Sequence, residues 1–382
     1  MNQIKADLKH FQLSDYLILI GICSLFLPHT LTILVFVGIV CVAFFRLNFI
    51  EDLKKQKGKA FIYGFILLEI LVSLFYHNWT GLAVSFSFLL LFLYIAFYQA
   101  HTSEKLLSYM IECSLLCSFL LCFYALFQFN QISIANGYQF SDFHIFNSPK
   151  RRIVATFQNA NIYALMLEFM LALCLYRFLQ TKKYLYKAWY VFLALFQFSI
   201  ILLTGCRAAL VPLIFVIPIM LLLSKQKKLF VLYFVFIVVL LSIVFMHPNL
   251  IPRFNDFSTI ESRLKIWRTA IKGIQAHPFF GNGPWTYNYI YESYHGHKAV
   301  FCHNIYLEML SSFGIVGTIP LLGIIGILLK QVFACKKSNA LLFSLMMSCI
   351  VIVAIHGLVD GTLYPAKTNL FLLMILTSYS SK

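Results

Sequence analysis

Apolar stretches of fifteen or more residues recur from Tyr16 to the C-terminus, and only short clusters of Lys and Arg separate them. A helix that crosses a bilayer needs roughly 20 predominantly apolar residues, so a chain built this way points to a bundle of spanning helices. Hydrophobic residues make up 61% of the 382 and charged residues only 12%, with mean hydropathy +0.83. Soluble globular domains carry about 25% charged residues, which excludes that class. The expected fold is an all-α polytopic membrane protein, with residues 1–382 forming a single integral membrane domain.

Hydropathy places twelve spans near residues 13–28, 30–45, 60–76, 81–98, 107–129, 163–178, 188–204, 208–224, 229–245, 310–329, 340–355 and 364–379. Lys5 and Lys9 ahead of the first imitate a signal peptide. No small-x-small cleavage site follows, however, and Pro28-His29 leads straight into the next apolar run, which favours an uncleaved helix. The ten Cys include no C-x-x-C pair and lie along apolar runs, as small packing residues do.

The net charge of +16 has to be read by side of the membrane, not as a footprint for nucleic acid. With a cytoplasmic N-terminus, the inner segments are all short and hold 19 of the 30 Lys and Arg. The positive-inside rule then gives N-in and C-in, with long outer loops near 130–162 and 246–304. The inner set contains 17 Lys and two Arg. The outer set is Lys150, Arg151, Arg152, Arg207, Arg253, Arg263, Lys265, Arg268, Lys272, Lys298 and Lys367, six of them Arg. A guanidinium binds phosphate bidentately, whereas an ammonium supplies a point charge. Outer Arg residues therefore suit a diphosphate ligand or anionic lipid headgroups.

Within the second outer loop, Ile260, Leu264, Trp267, Ile271 and Ile274 are spaced 4, 3, 4 and 3 apart, which predicts an amphipathic helix over 259–276. Arg263 borders its apolar stripe, while Lys265, Arg268 and Lys272 fan out on the far side as headgroup contacts. A Gly- and Pro-rich turn from His277 to Trp285 follows. Asn304 then reads as the N-cap of a helix running to Phe313, before Gly314. His303 stands at that helix start, where the dipole favours a neutral imidazole beside an anion, a setting for a general base; a histidine next to a cap also needs no chemistry.

Four stretches resemble the O-antigen ligase and O-antigen polymerase family, which includes related teichoic-acid and capsule ligases. Arg263 to Trp267 with Pro278, Gly281 and Gly283 looks like the family's R-x-x-x-W and P-x-x-G-x-G segment. His303-Asn304, Leu307-Glu308 and Gly314 to Gly317 are similar to its H-N-x-x-L and G-x-x-G stretch. Thr204-Gly205-Cys206-Arg207-Ala208 resembles T-G-S-R-G, and Arg152 to Asn161 resembles R-x-x-G-T-F-x-N-P-N. The departures are Cys206 for Ser, Ala155 and Ala208 for Gly, and Ala160 for Pro.

The resemblance implies a GT-C-like, metal-independent, inverting glycosyltransferase without a cofactor. It would move an undecaprenyl-diphosphate-linked glycan to a hydroxyl of a glycan or lipid-anchored acceptor at the outer face of the cytoplasmic membrane. Arg207 and Arg263 are expected on the diphosphate and His303 on the acceptor hydroxyl, with Arg152, Arg268, Lys272, Asn304 and Asp360 in supporting contacts. A repeat-unit polymerase of the Wzy type would use the same chemistry. The outer acids Asp142, Asp256, Glu261, Glu292, Glu308 and Asp360 include no close pair, which argues against an acidic metal site. His356 and Asp360, four apart, suit either a supporting pair or polar packing at a helix end. Glu69 and Glu168 lie inside spans, where ionisable groups are costly and often functional, and they suit the rival reading of a lipid-linked glycan flippase or transporter. A transporter of that kind also calls for matched internal repeats, which the sequence lacks.

Overall fold

The computed structural model describes residues 10–139, 152–247 and 258–379. Fifteen α-helices follow in order among them. The first six are α1 (Leu13–Ser24), α2 (His29–Arg46), α3 (Phe49–Lys55), α4 (Lys59–Phe75), α5 (Trp79–His101) and α6 (Glu104–Ala135). Next come α7 (Ala160–Gln180), α8 (Tyr184–Thr204), α9 (Leu210–Leu223), α10 (Lys227–Met246) and α11 (Ser258–Ala276). The last four are α12 (Tyr287–Ile290), α13 (Ile305–Ser338), α14 (Ala340–His356) and α15 (Ala366–Leu376).

All twelve apolar runs fold as helices; α3, α11 and α12 occupy the connections. By length and hydropathy alone, α2, α5, α6, α7, α8, α10 and α13 can each cross a membrane, and the bent pair α3–α4, turned by 100°, makes an eighth candidate. The other four apolar helices have 10–17 residues. At 1.5 Å per residue they fall short of a hydrocarbon core of about 30 Å. Their shortness has a local cause. Pro28 and Pro365 stand at helix starts, and the chain turns back through irregular segments there. Protein groups, in place of water, satisfy the exposed carbonyls: Lys367 donates to Leu27, the Ile305 N–H to Gly357, and Asn304 to Leu358.

Alternate connections gather at opposite ends of the bundle. At one end, Asn78 donates to the carbonyls of Asn282 and Pro284, Thr156 to Phe26, Arg207 to Thr259 and Lys367 to Thr156. At the other, His101 meets Asp52, Gln56 reaches the Phe92 carbonyl, and Arg177 bonds Ser108 and pairs with Glu112. The first end carries the candidate site. α7 is the central helix, with 72% of its apolar window buried, whereas α10 buries none and presents apolar side chains all round, as a lipid-facing helix does. Pro218 in α9 lacks an N–H and so orphans the Ile214 carbonyl; the Tyr233 hydroxyl of α10 donates to it at 3.2 Å.

One backbone interlock fixes the large loop to the bundle. At Gly314, φ 57° and ψ −167°, α13 breaks its helical path. The N–H groups of Ile315 and Val316, which lose their helical partners, donate to the carbonyls of Pro278 and Phe279, while the Gly283 N–H donates to Ser312. A Cβ at Gly314 would stand 2.4 Å from the Phe279 oxygen, and one at Gly281 2.2 Å from that of Ser312. Both glycines of this contact are thus required by close backbone approach. Gly314→Ala is expected to cost about 3 kcal/mol or more, read as thermal unfolding of the purified protein in detergent, because the backbone conformation is restricted to glycine and the methyl has nowhere to go. Gly326→Ala in the same helix meets open space and should be neutral. Equal melting temperatures for the two variants would contradict the interlock.

Candidate functional site

His303 begins the site. It sits two residues before the start of α13 in the left-handed region, φ 50°, which a histidine tolerates better than a branched residue. The segment is held on both sides. Asn304 caps α13, its side-chain oxygen accepting from the N–H groups of Tyr306 and Leu307 at 3.0 Å, while its amide donates to the Leu358 carbonyl at 2.9 Å. The buried Glu308 carboxylate accepts the Cys302 N–H at 2.5 Å. The side chain of Asn304 thus joins the start of α13 to the 357–365 turn.

His303 Nδ1 lies 2.8 Å from Asp360 Oδ1. A carboxylate can only accept, so Nδ1 is the donor, and in the neutral form of the ring Nε2 keeps a lone pair. The side chain of His303 is 23% exposed and that of Asp360 only 3%. Asp360 therefore stands behind His303, where its bond to Nδ1 orients the imidazole. Burial would raise its carboxyl, but the hydrogen bonds and charge of His303 and His356 hold it well below the usual carboxylate range. From Asp360 the chain runs inward: His356 Nε2 is 3.8 Å from Oδ2, and His356 Nδ1 is 2.6 Å from Glu168 Oε1 of α7. Glu168 is thus paired within the bundle. Glu69 of α4 is fully buried with neither carboxylate oxygen hydrogen-bonded, facing Gly317. Cys302 is no rival nucleophile, since burial and then the neighbouring Glu308 push its thiol up.

The cations approach from the turn after α8 and from α11. Arg207 opens a short 3-10 turn before α9 and donates to the Thr259 hydroxyl at 2.7 Å. Thr259 and Arg263 are one helical turn apart on the same face, so Arg207 and Arg263 share one side of α11. Contrary to the apolar-stripe expectation, α11 buries Ile266, Thr269, Ala270 and Gly273, while Ile260, Leu264 and Ile271 are exposed. Ile266 and Ala270 pack with Tyr287 and Cys302, which sets α11 over the residue next to His303. Arg263 lies half-buried between the packed face and the exposed stripe, and Lys265, Arg268 and Lys272 are exposed.

Arg152 donates to the Thr204 carbonyl at 2.6 Å and to Asn161 Oδ1. It braces the turn that presents Arg207, so it acts on the site through Arg207. Ala155, where the resemblance has glycine, adopts φ 49°, a conformation that glycine enters freely. Lys150, Arg151, Arg253, Asp142 and Asp256 lie outside the described residues. The spacing of four had offered His356 and Asp360 as a pair, whereas the bonds of Asp360 to His303 and of Glu308 to Cys302 were not legible in the sequence; an acid in the first turn of a helix was the only signal available for Glu308.

A depressed Asp360 carboxyl stabilises the fold in full above the unfolded carboxylate value, about 4, and that contribution is lost as pH falls through the lower folded value. Thermal stability should decline steadily below about pH 4, and Asp360→Asn should flatten that decline. An unchanged acid limb in the variant would place the acid lability elsewhere.

Comparison with known proteins bears on the middle of the chain. Residues 190–322 match the family model described as O-antigen ligase. No curated protein gives a significant match to the chain. The matched stretch, about a third of the chain, is the one that presents Arg207, Arg263 and His303, and it is similar to the O-antigen ligase family there.

Proposed function

We propose that this protein is a metal-independent, inverting glycosyltransferase that moves a glycan from undecaprenyl diphosphate to an acceptor hydroxyl at the outer face of the cytoplasmic membrane. The observation that carries the reading is the 2.8 Å bond between His303 and the buried Asp360, at the end of the bundle where Arg207 and Arg263 share one side of α11. The excess of Arg over Lys on that end and the Lys-rich opposite end support its assignment as the outer face.

The chemistry follows from the groups present. Nε2 of His303 takes the proton of the acceptor hydroxyl, and the oxygen attacks the anomeric carbon from the side opposite the diphosphate. The bond from that carbon to the diphosphate oxygen breaks, its electron pair stays on the leaving oxygen, and configuration inverts. Arg207 and Arg263 meet the charge that develops there, in the manner of preorganised donors. Asp360 keeps the imidazole in the right tautomer and steadies the imidazolium. Metal independence is supported by the donor set, because Asp360 and Glu308 turn inward to His303 and Cys302. Arg268 and Lys272 contact headgroups or the glycan at the surface of α11. A repeat-unit polymerase would use the same residues and differ only in its acceptor. The flippase reading loses one of its supports, since Glu168 is paired with His356.

The test is substitution of the cations in a reconstituted transfer assay. Arg263→Lys keeps the charge and loses the bidentate fork, so transfer should fall by about a hundredfold, as for Arg207→Ala, while Lys265→Ala stays within about threefold of the unmodified protein. Comparable losses at all three positions would mean that bulk charge alone matters, and would remove the clamp.

A further inference from the structure

We infer that a cavity beside His303 is a subsite for an acidic saccharide unit, a sugar ring carrying a carboxylate or phosphate, belonging to the glycan or its acceptor. The inference rests on the transferase reading and adds a substrate class that nothing above supplies. The cavity has a volume of about 330 Å³ and lies between α5, residues 156–158, Trp285, Phe301 and the start of α15. That is within the range, about 300–1,000 Å³, of small-ligand pockets.

Its electrostatics are one-sided. None of the sixteen residues that line it is acidic. Lys367 is only 4% exposed, and its ammonium lies 4.5 Å over the Phe157 ring and donates to the carbonyls of Leu27 and Thr156. An ammonium has three donors, so two carbonyls leave one N–H, and the carbonyls and the ring answer the charge with dipoles alone, with no anion among the residues that line the cavity. A buried charge without a counter-ion is costly, and a bound anion would relieve it. Two helix N-termini reinforce the demand. His29 is the first residue of α2, and Ala366 and Lys367 are the first two of α15; all three line the cavity. The unpaired amides and the dipole at such ends favour negative charge.

The rest of the wall suits a sugar ring. Trp285 is half-buried and backed by Tyr364, with ring centroids 5.0 Å apart, and offers a flat apolar face for the C–H side of a pyranose. Trp285 is fixed in place, its N–H donating to the Tyr364 hydroxyl oxygen, which itself donates to Ser312. Phe301, another wall residue, has its ring 4.6 Å from that of His303. A sugar on these rings, with its anion at Lys367, therefore lies next to the proposed base.

The test uses the full-length protein in phosphatidylcholine nanodiscs, with tryptophan fluorescence as the readout and methyl glucuronide, methyl glucoside 6-phosphate, methyl glucoside and inorganic phosphate as probes. The two acidic glycosides should bind at least about tenfold tighter than the neutral one, the margin expected of a hydrogen bond to a charged group. Lys367→Met should erase that preference, and Trp285→Phe should remove the fluorescence response. If Lys367→Met does not fold, His29→Gln serves in its place and should reduce the preference. Equal binding of acidic and neutral glycosides, or a preference unchanged in a folded Lys367→Met, would overturn the inference. So would inorganic phosphate binding as tightly as the sugar phosphate, or phosphatidylglycerol nanodiscs that block methyl glucuronide, which would assign the cavity to a lipid headgroup. Glucuronide binding that persists in a protein without transfer activity supports the subsite and counts only against the enzymatic reading.

Discussion

Glu168 places a carboxylate inside the most buried helix of the bundle, where an ionisable group is tolerated only when something answers it. His356 answers it at 2.6 Å, and the rest of the site follows from that pairing. The imidazole pins the end of α14 to α7. Asp360, one turn further on, then sits under the start of α13, within reach of His303. Four groups, from two helices, a turn and the segment just before α13, form one line from the interior to the surface. Only its last member, His303, is open to the surroundings, so the arrangement ends in an oriented imidazole.

A second constraint places the cations. The contact of the Pro278–Gly283 segment with the break at Gly314 is made of backbone on both sides, which fixes where α11 can lie. α11 then rests its small residues Thr269, Ala270 and Gly273 against the protein and leaves Arg263 at the edge of that packing, beside the Thr259 that Arg207 holds. An imidazole and two guanidiniums thus come from separate parts of the chain onto one end of the bundle. That is the combination a transfer from a diphosphate carrier needs: a proton acceptor for the nucleophile and donors for the leaving oxygen.

Local pattern in the sequence placed helices on the apolar runs, though only seven or eight of the twelve expected spans are long enough to cross, and it placed the helix over 259–276, the cap at Asn304 and the break at Gly314, because each is decided by hydropathy, periodicity or a turn residue within a few positions. What it could not supply were pairings across the chain. His303 and Asp360 are 57 positions apart and Glu168 and His356 are 188 apart, and no local rule links them. The packed face of α11 was misjudged for a different reason. In water the stripe of Ile260, Leu264 and Ile271 would have to be buried, but beside a membrane it can face lipid, and close approach selects Thr269, Ala270 and Gly273 for the protein side. The spans drawn over 208–224 and 340–355 were already short, whereas those over 13–28 and 364–379 ran past the ends of α1 and α15, because apolar residues such as Leu25, Phe26 and Leu27 continue beyond the last helical turn.

The central claim is that His303 does chemistry and does more than hold the fold. It is tested most directly by comparing His303→Ala with the unmodified protein in proteoliposomes, measuring binding of the carrier-linked glycan and a single turnover of transfer on the same samples. Carrier binding that stays within about threefold while transfer falls by at least about a hundredfold is the predicted result. Normal turnover in His303→Ala would contradict the account and leave the Arg207–Arg263 pair as the only catalytic device of this site.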